Sequence, residues 1–294
     1  MKIAIFGNTY QQRSLPHIEQ MLATLLASGV DVTVETQFAH YLEQQNVAIA
    51  LLKGCDTFDY GNHVAGADLA ISVGGDGTIL HTAQVAAPQH LPIVGLNSGH
   101  LGYLTAADIS QAPALVHDLI AGRYVVEPRA MISISCDSPL LGVNYPYALN
   151  EIVVTRTDTS SMIAIDVMLG DVQLSTSKGD GLLVCTPTGS TAYNLSVGGP
   201  ILEPLSHCLA LSPISPHSLS LRPVVVADDA QITVIPRSRA KHCQVSIDGE
   251  IAKVPSGTPL HISKAPFATQ LIMPTGRNFA ETLRTKLLWG SDNR

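Results

Sequence analysis

Charge is scarce in this chain. Only 14% of its 294 residues are charged, and 17 Lys and Arg stand against 24 Asp and Glu for a formal net charge of −7. No basic cluster of the kind that grips a phosphate backbone occurs, which argues against nucleic acid as a partner. Any phosphorylated substrate is then held by local donors or by a divalent cation. Cysteine is sparse too: Cys55, Cys136, Cys185, Cys208 and Cys243 are scattered, odd in number and free of any Cys-x-x-Cys pair. Free thiols in a reducing cytoplasm are expected, rather than zinc or disulfides. Long apolar runs are missing, so no membrane-spanning segment is expected. The start, Met1-Lys2-Ile3-Ala4-Ile5-Phe6-Gly7, enters a strand at once and has no signal-peptide pattern. These features make a cytoplasmic location the expectation.

What the chain does have is apolar substance, 46% of its residues, enough for a core in each of about two domains at this length. The pattern changes character near Pro128. Before it, buried-strand runs such as Ile3–Phe6, Leu69–Val73 and Ile93–Leu96 alternate with helical periods. Ile18, Met21, Leu22, Leu25 and Leu26 share one helix face and Gly29 stops it; Leu115, Val116, Leu119 and Ile120 repeat the device before Gly122. This predicts an α/β N-terminal domain with a doubly wound, largely parallel sheet, in which ligands bind at the carboxyl ends of strands. After Pro128, short β-type runs separated by Gly, Pro, Asp and Ser predict an all-β, sandwich-like C-terminal domain. The stretch from Asn278 to Trp289 returns to helical spacing. The expected division is 1–128 completed by the C-terminal segment 268–294, and 129–267.

The most informative stretch is Ile71-Ser72-Val73-Gly74-Gly75-Asp76-Gly77-Thr78, a strand that breaks into glycines and turns straight into a helix. Backbone N–H groups exposed in such a bend, with the helix dipole behind them, attract phosphate oxygens. Gly74, Gly75, Gly77 and Thr78 are therefore candidate phosphate-binding residues. A carboxylate among them is unfavourable unless it takes a proton from a nucleophile or holds a metal ion, which points to phosphoryl transfer. The plainer alternative is a tight turn with Asp76 as helix cap.

Three further stretches stand out. Asn97-Ser98-Gly99-His100-Leu101-Gly102-Tyr103-Leu104 follows a strand that would lie beside the first loop, and reads alternatively as an ordinary turn. Asn150-Glu151 sits inside the apolar run from Ala148 to Val154, where strand alternation sends the two side chains to opposite faces; their desolvation is explained by a ligand rich in hydroxyls and ring nitrogens, or by one side chain facing solvent. The passage from Lys178 through Asp180-Gly181 and Thr186-Pro187-Thr188-Gly189-Ser190-Thr191-Ala192-Tyr193-Asn194-Leu195-Ser196 to Gly198-Gly199-Pro200 joins an apolar strand to a loop of small residues and hydroxyls. It suits a purine pocket, or else is a connection without a ligand. It does not complete a nucleophile elbow.

In order and approximate spacing these motifs, with Ser215–Pro223, Ile247-Asp248-Gly249 and the Lys286–Gly290 tail, resemble those of bacterial NAD kinases over nearly the whole chain. The resemblance implies phosphorylation of the adenosine ribose 2′-hydroxyl of NAD to give NADP, with ATP as donor, a divalent metal cation such as Mg2+, and a homo-oligomer, dimer or tetramer, in the cytoplasm. It implies Asp76 as the catalytic base. NAD would be bound by Asp76, Gly77, His81, Asn150, Glu151, Lys178, Asp180, Thr188, Thr191, Ala192, Tyr193, Asn194, Leu195 and Ser196. The chain departs from the family in three places: Ser161 precedes Met162-Ile163 where a basic residue is frequent, Lys178 replaces a frequent arginine and loses its planar fork, and Glu250 stands where glutamine is common. Asp248-Gly249 reads as a hairpin turn. The first motif is shared with lipid and sugar kinases, which would phosphorylate another alcohol, and a non-catalytic NAD-sensing module would bind dinucleotide and leave ATP untouched.

Overall fold

Strand β1 (Lys2–Gly7) is buried along its centre and pairs in parallel on both sides, with β2 (Asp31–Glu35) and β4 (Leu69–Val73). Between β1 and β2 runs α1 (Leu15–Ala27), which begins with Pro16 in its first turn and buries Ile18, Met21, Leu22 and Leu25. Gly29 ends it at φ +73°, a left-handed position that glycine takes without strain. Helices α2 (Thr36–Gln44) and α3 (Ile49–Leu52) lead to β3 (Asp56–Phe58). After β4 come α4 (Asp76–Ala86), β5 (Ile93–Asn97), the short β6 (Ala107–Asp108) and α5 (Ala112–Ile120). The expected apolar face of α5 holds at Leu115, Val116 and Leu119, whereas Ile120 is exposed.

The sheet order β3-β2-β1-β4-β5 is parallel throughout, and its direction of winding reverses between β1 and β4. The loops leaving the carboxyl ends of those two strands diverge and open a crevice. The structure is a computed structural model that describes residues 1–99, 102–137, 143, 145–157, 161–276 and 278–290.

The chain forms two compact units, Met1–Pro128 with Ala268–Arg294, and Arg129–Phe267. The second unit is built of antiparallel strands. From β7 (Val125–Ser135), which begins at the end of the first unit, the chain passes to β8 (Tyr147–Ala148), β9 (Glu151–Thr155), β10 (Ile163–Leu169), β11 (Val172–Gly179) and β12 (Gly181–Cys185). After α6 (Tyr193–Ser196) come β13 (Cys208–Ile214), β14 (Val224–Ala227), β15 (Ile232–Arg237), β16 (His242–Ile247), β17 (Glu250–Pro255) and β18 (Leu260–Met273). One sheet runs β14-β13-β12-β9-β16-β17; in the other, β10 lies between β11 and β15, and β15 pairs with the start of β18. Inward residues of both, among them Ile152, Val184, Val245, Ile165, Val234 and Ile262, make one core. Strand β12 is buried on both faces, because Leu183 and Cys185 pack under Val197 and Leu202 of the following loop.

The chain then re-enters the first unit, where Leu271 pairs with Ile93 of β5 and α7 (Phe279–Leu287) follows. No helix among the described residues is long and apolar enough to cross a membrane, and all five cysteines are free thiols.

Candidate functional site

In the first unit, β4 ends at Val73 and is followed by Gly74, whose N–H donates to Leu96 O at 2.9 Å; α4 starts two residues later. A side chain on residue 74 would collide with the Thr78 hydroxyl and Cβ, which is why the bend is built on glycine. The N-cap of α4 is Gly75, with no side-chain cap bond. Asp76 is therefore not the helix cap that the plainer alternative supposes. Its carboxylate reaches to the loop after β5, where Oδ2 accepts the Tyr103 N–H at 2.7 Å and Oδ1 the Leu104 N–H at 3.0 Å. The Gly-Gly-Asp-Gly loop and the 97–104 loop are thus brought together by adjacent parallel strands. Asn97 closes a local turn through Gly99, as the ordinary-turn alternative has it; positions 100 and 101 lie outside the described residues.

Gly75, Gly77, Thr78 and His81 line a cleft of about 450 Å³ with Gly7–Tyr10 from the end of β1 and with Glu35 and Gln37. This is the crevice at the winding reversal, and it collects the open amides of the α4 N-terminus. Asn8 reaches Thr78 Oγ1 at 3.4 Å, tying the two strand ends. His81 is exposed, and its ring stacks on Tyr60 with centroids 3.8 Å apart and planes 6° from parallel. On α7, Lys286 donates to Gly102 O at 2.7 Å, which steadies the loop that holds Asp76.

In the second unit the expected strand through Ala148–Thr155 is interrupted. The chain bends at Leu149-Asn150, and Asn150 lies outside β9. The cause is Asp248, from the turn between β16 and β17. Its Oδ2 accepts the Leu149 N–H at 2.6 Å and its Oδ1 accepts those of Asn150 and Glu151, both at 2.9 Å. Asp248 itself has φ +46°, as the first residue of an Asp-Gly hairpin must. The Asp-Gly step is the expected turn, and its side chain also organises the loop that carries Asn150 and Glu151.

Around that bend the small-residue loop folds closely. Thr186 N donates to Asn150 O at 2.9 Å, and Thr186 Oγ1 donates to Leu149 O at 2.5 Å. Gly189 lies so near the Asn150 backbone that a Cβ would strike its carbonyl. Thr188 is buried, and its hydroxyl has no hydrogen-bond partner among the described residues; the same holds for Glu151 Oε2. Burial first, and then the Asp248 charge, push the Glu151 carboxyl up to about 8. Burial also lifts Asp248 to about 6, against the opposing effect of its three N–H bonds.

The remaining candidates differ in what they present. Tyr193 and Ser196 are exposed, while Thr191, Ala192 and Leu195 are half-buried. Asn194 is fully buried: its amide donates to Ser190 O and Pro200 O and accepts from Ser212, so it holds the loop together from inside. Lys178 is an exposed residue of β11, and Asp180 is paired with Arg156 at 2.7 Å. Asp248, Arg156, Tyr60 and Lys286 were not among the sequence-derived candidates. The hairpin signature and the family-like Ile247-Asp248-Gly249 run pointed to Asp248, and neither pointed to its reach.

Two family profiles match: ATP-NAD kinase N-terminal domain over residues 3–124 and ATP-NAD kinase C-terminal domain over residues 149–273. The chain is similar to an NAD kinase of Bacteroides fragilis, 40% identical over 297 residues and covering 100% of both chains. It is also similar to one of Flavobacterium psychrophilum, 37% identical over 296 residues with 100% of both covered. Among solved structures, an NAD kinase from Archaeoglobus fulgidus in complex with ATP superposes with a TM-score of 0.73 at 26% identity, over 97% of this chain and 99% of that one. Yeast NADH kinase complexed with NADH shares the fold, with a TM-score of 0.86 at 23% identity over 100% of this chain and 89% of the other. Matched by both family profiles and by full-length relatives, the chain belongs to the ATP-NAD kinase family.

Proposed function

We propose that the protein transfers the γ-phosphoryl group of ATP to the adenosine ribose 2′-hydroxyl of NAD, giving NADP. The observation that carries this reading is the Asp76 carboxylate, held by the Tyr103 and Leu104 amides at the mouth of a glycine-lined helix N-terminus. Each oxygen spends one lone pair on an N–H and keeps another for a proton. As the 2′-oxygen bonds to γ-phosphorus and the bond to the ADP oxygen breaks, Asp76 takes the hydroxyl proton. Such an oriented base contributes roughly 10²–10⁴-fold.

The amides of Gly75 and Gly77 suit phosphate oxygens, whereas those of Gly74 and Thr78, expected to do the same, are spent on Leu96 O and Gly75 O; His81 borders the same cleft. In the second unit we assign Asn150, Glu151 and Thr188, with Thr191, Ala192, Tyr193, Leu195 and Ser196, to the dinucleotide. Asn194 supports them from below, Asp180 belongs to the nicotinamide side, and Lys178 is assigned to the dinucleotide without a side. The Thr188 hydroxyl and the Glu151 oxygen, both buried and without a partner among the described residues, support this assignment, since buried polar groups are normally paired.

ATP-NAD kinases use a divalent metal with ATP. Among the described residues no three His, Cys, Asp or Glu side chains cluster as a metal cage. The residues present do not fit a resident metal. In our reading a divalent cation such as Mg2+ would come with the nucleotide substrate and would offset the charge of its phosphates. A homo-oligomer working in the cytoplasm is part of the same proposal. The exposed Val172 and Leu174 of β11 and Val224 and Val225 of β14 favour association at strand edges. Incubation of the purified protein with NAD, ATP and Mg2+, assayed for NADP, tests the reaction; NADP must form with ADP in equal amount, and its absence refutes the reading.

A further inference from the structure

Two carboxyl groups share the bend at residues 149–151, and they are unequally provided for. Asp248 collects the amides of Leu149, Asn150 and Glu151. Glu151 is left with a buried oxygen that no described residue donates to. Its titratable surroundings are acidic. Asp248 faces it from the hairpin turn and Cys185 lies opposite it on β12, with Glu250 beyond Asp248 and Cys208 beyond Cys185. No described cation contributes to its titration. Two neighbouring buried carboxyls do not both ionise readily, and the proton stays on the one with fewer donors.

We propose that Glu151 meets its ligand as a neutral carboxylic acid, donating a hydrogen bond to a base nitrogen or a sugar oxygen, and that Asp248 imposes this state as a positioning residue. The inference rests on the reading of this unit as the dinucleotide-binding half of the enzyme. It assigns Glu151 a specificity role: it selects an acceptor atom, where an ionised glutamate selects hydroxyl donors. Its elevated titration, to about 8, agrees with this state. Above that pH the acid loses the proton it donates, and the ligand meets a buried charge instead.

The test has two arms on the full-length protein. In the first, infrared titration without ligand follows the carbonyl stretch of protonated carboxyl groups. Wild type should show a band at neutral pH that fades as pH rises through about 8 and is missing in Glu151→Gln. In Asp248→Asn it should fade at lower pH, because the neighbouring charge is gone. A spectrum without the band, or one unchanged in Glu151→Gln, overturns the proposal.

In the second arm, calorimetric titration with NAD should lose about tenfold in affinity between neutral pH and one unit above the Glu151 transition, as expected when a donated hydrogen bond worth about 1.4 kcal/mol is removed. Glu151→Gln, whose amide also donates, should retain measurable NAD binding at neutral pH and lose the pH dependence. Affinity that rises with pH, or that collapses in Glu151→Gln, overturns the proposal. A present band with no NAD binding at any pH refutes the dinucleotide reading and the donated bond together. A missing band with normal NAD binding refutes the proposal alone.

Discussion

The Asp76 carboxylate fills the space in which a side chain on residue 102 would stand, and Gly102 is what lets it lie there and reach the next two amides. Gly102 is not in the left-handed region, so an alanine there is conformationally admissible and acts by contact alone. Gly102→Ala is expected to displace the carboxylate. Turnover should fall by at least about tenfold, as misplacement of a reacting group predicts, with NAD affinity nearly unchanged. Steady-state kinetics beside equilibrium NAD titration separates the two effects.

Asp76→Asn keeps the shape and removes the base. The expected loss in kcat is at least about 10²-fold. Because the amide nitrogen cannot accept, one of the Tyr103 and Leu104 amides loses a partner, at a cost of about 1 kcal/mol. Denaturant unfolding should detect that small loss. Wild-type turnover in this variant would remove Asp76 from the chemistry.

Gly189→Ala drives a methyl group into the Asn150 carbonyl. The bend carrying Asn150 and Glu151 must shift, which costs roughly 1–3 kcal/mol of stability. KM for NAD should rise, and it should rise more than KM for ATP. Equal changes in both constants would argue that the loop serves neither substrate selectively.

Asn194→Ala tests the buried amide that joins Ser190, Pro200 and Ser212. Removing it strands several polar atoms in a dry interior, for an expected loss of about 2–4 kcal/mol. The midpoint of chemical unfolding should fall with little change in slope. A variant as stable as wild type would mean that water replaces the amide.

Stability should also depend on pH, with a sign set by Glu151 and Asp248. Both titrate above their ordinary carboxylate range, to about 8 and about 6. The folded state therefore binds protons that the unfolded state has already released. Their contribution is complete below the ordinary range and is lost as pH rises through about 6 and then about 8. Melting temperature should decline across that window, and Glu151→Gln should flatten the upper part of the decline.

Much of this architecture was legible because it is written in short-range periods. The spacing of Ile18, Met21, Leu22 and Leu25 before Gly29 specifies a helix and its end, since residues three and four apart share a face. The run Leu69–Val73 ahead of three glycines specifies a strand that empties into a helix start. The joint order of the motifs carried the family resemblance, although each motif alone was ambiguous.

By itself, then, the sequence determined the alternation of strands and helices up to Pro128, the strand-rich stretch beyond it, and the glycine loop that presents Asp76. Only the tertiary structure decided what the carboxylates do. Asp76 finds its donors 27 and 28 positions away, and Asp248 finds its own 97 to 99 positions away. The latter pull Asn150 out of the strand that its apolar neighbours predict. A local pattern records which face of an element is buried, but it holds no trace of a hydrogen bond closed between distant segments, because that geometry exists only once the sheets have paired.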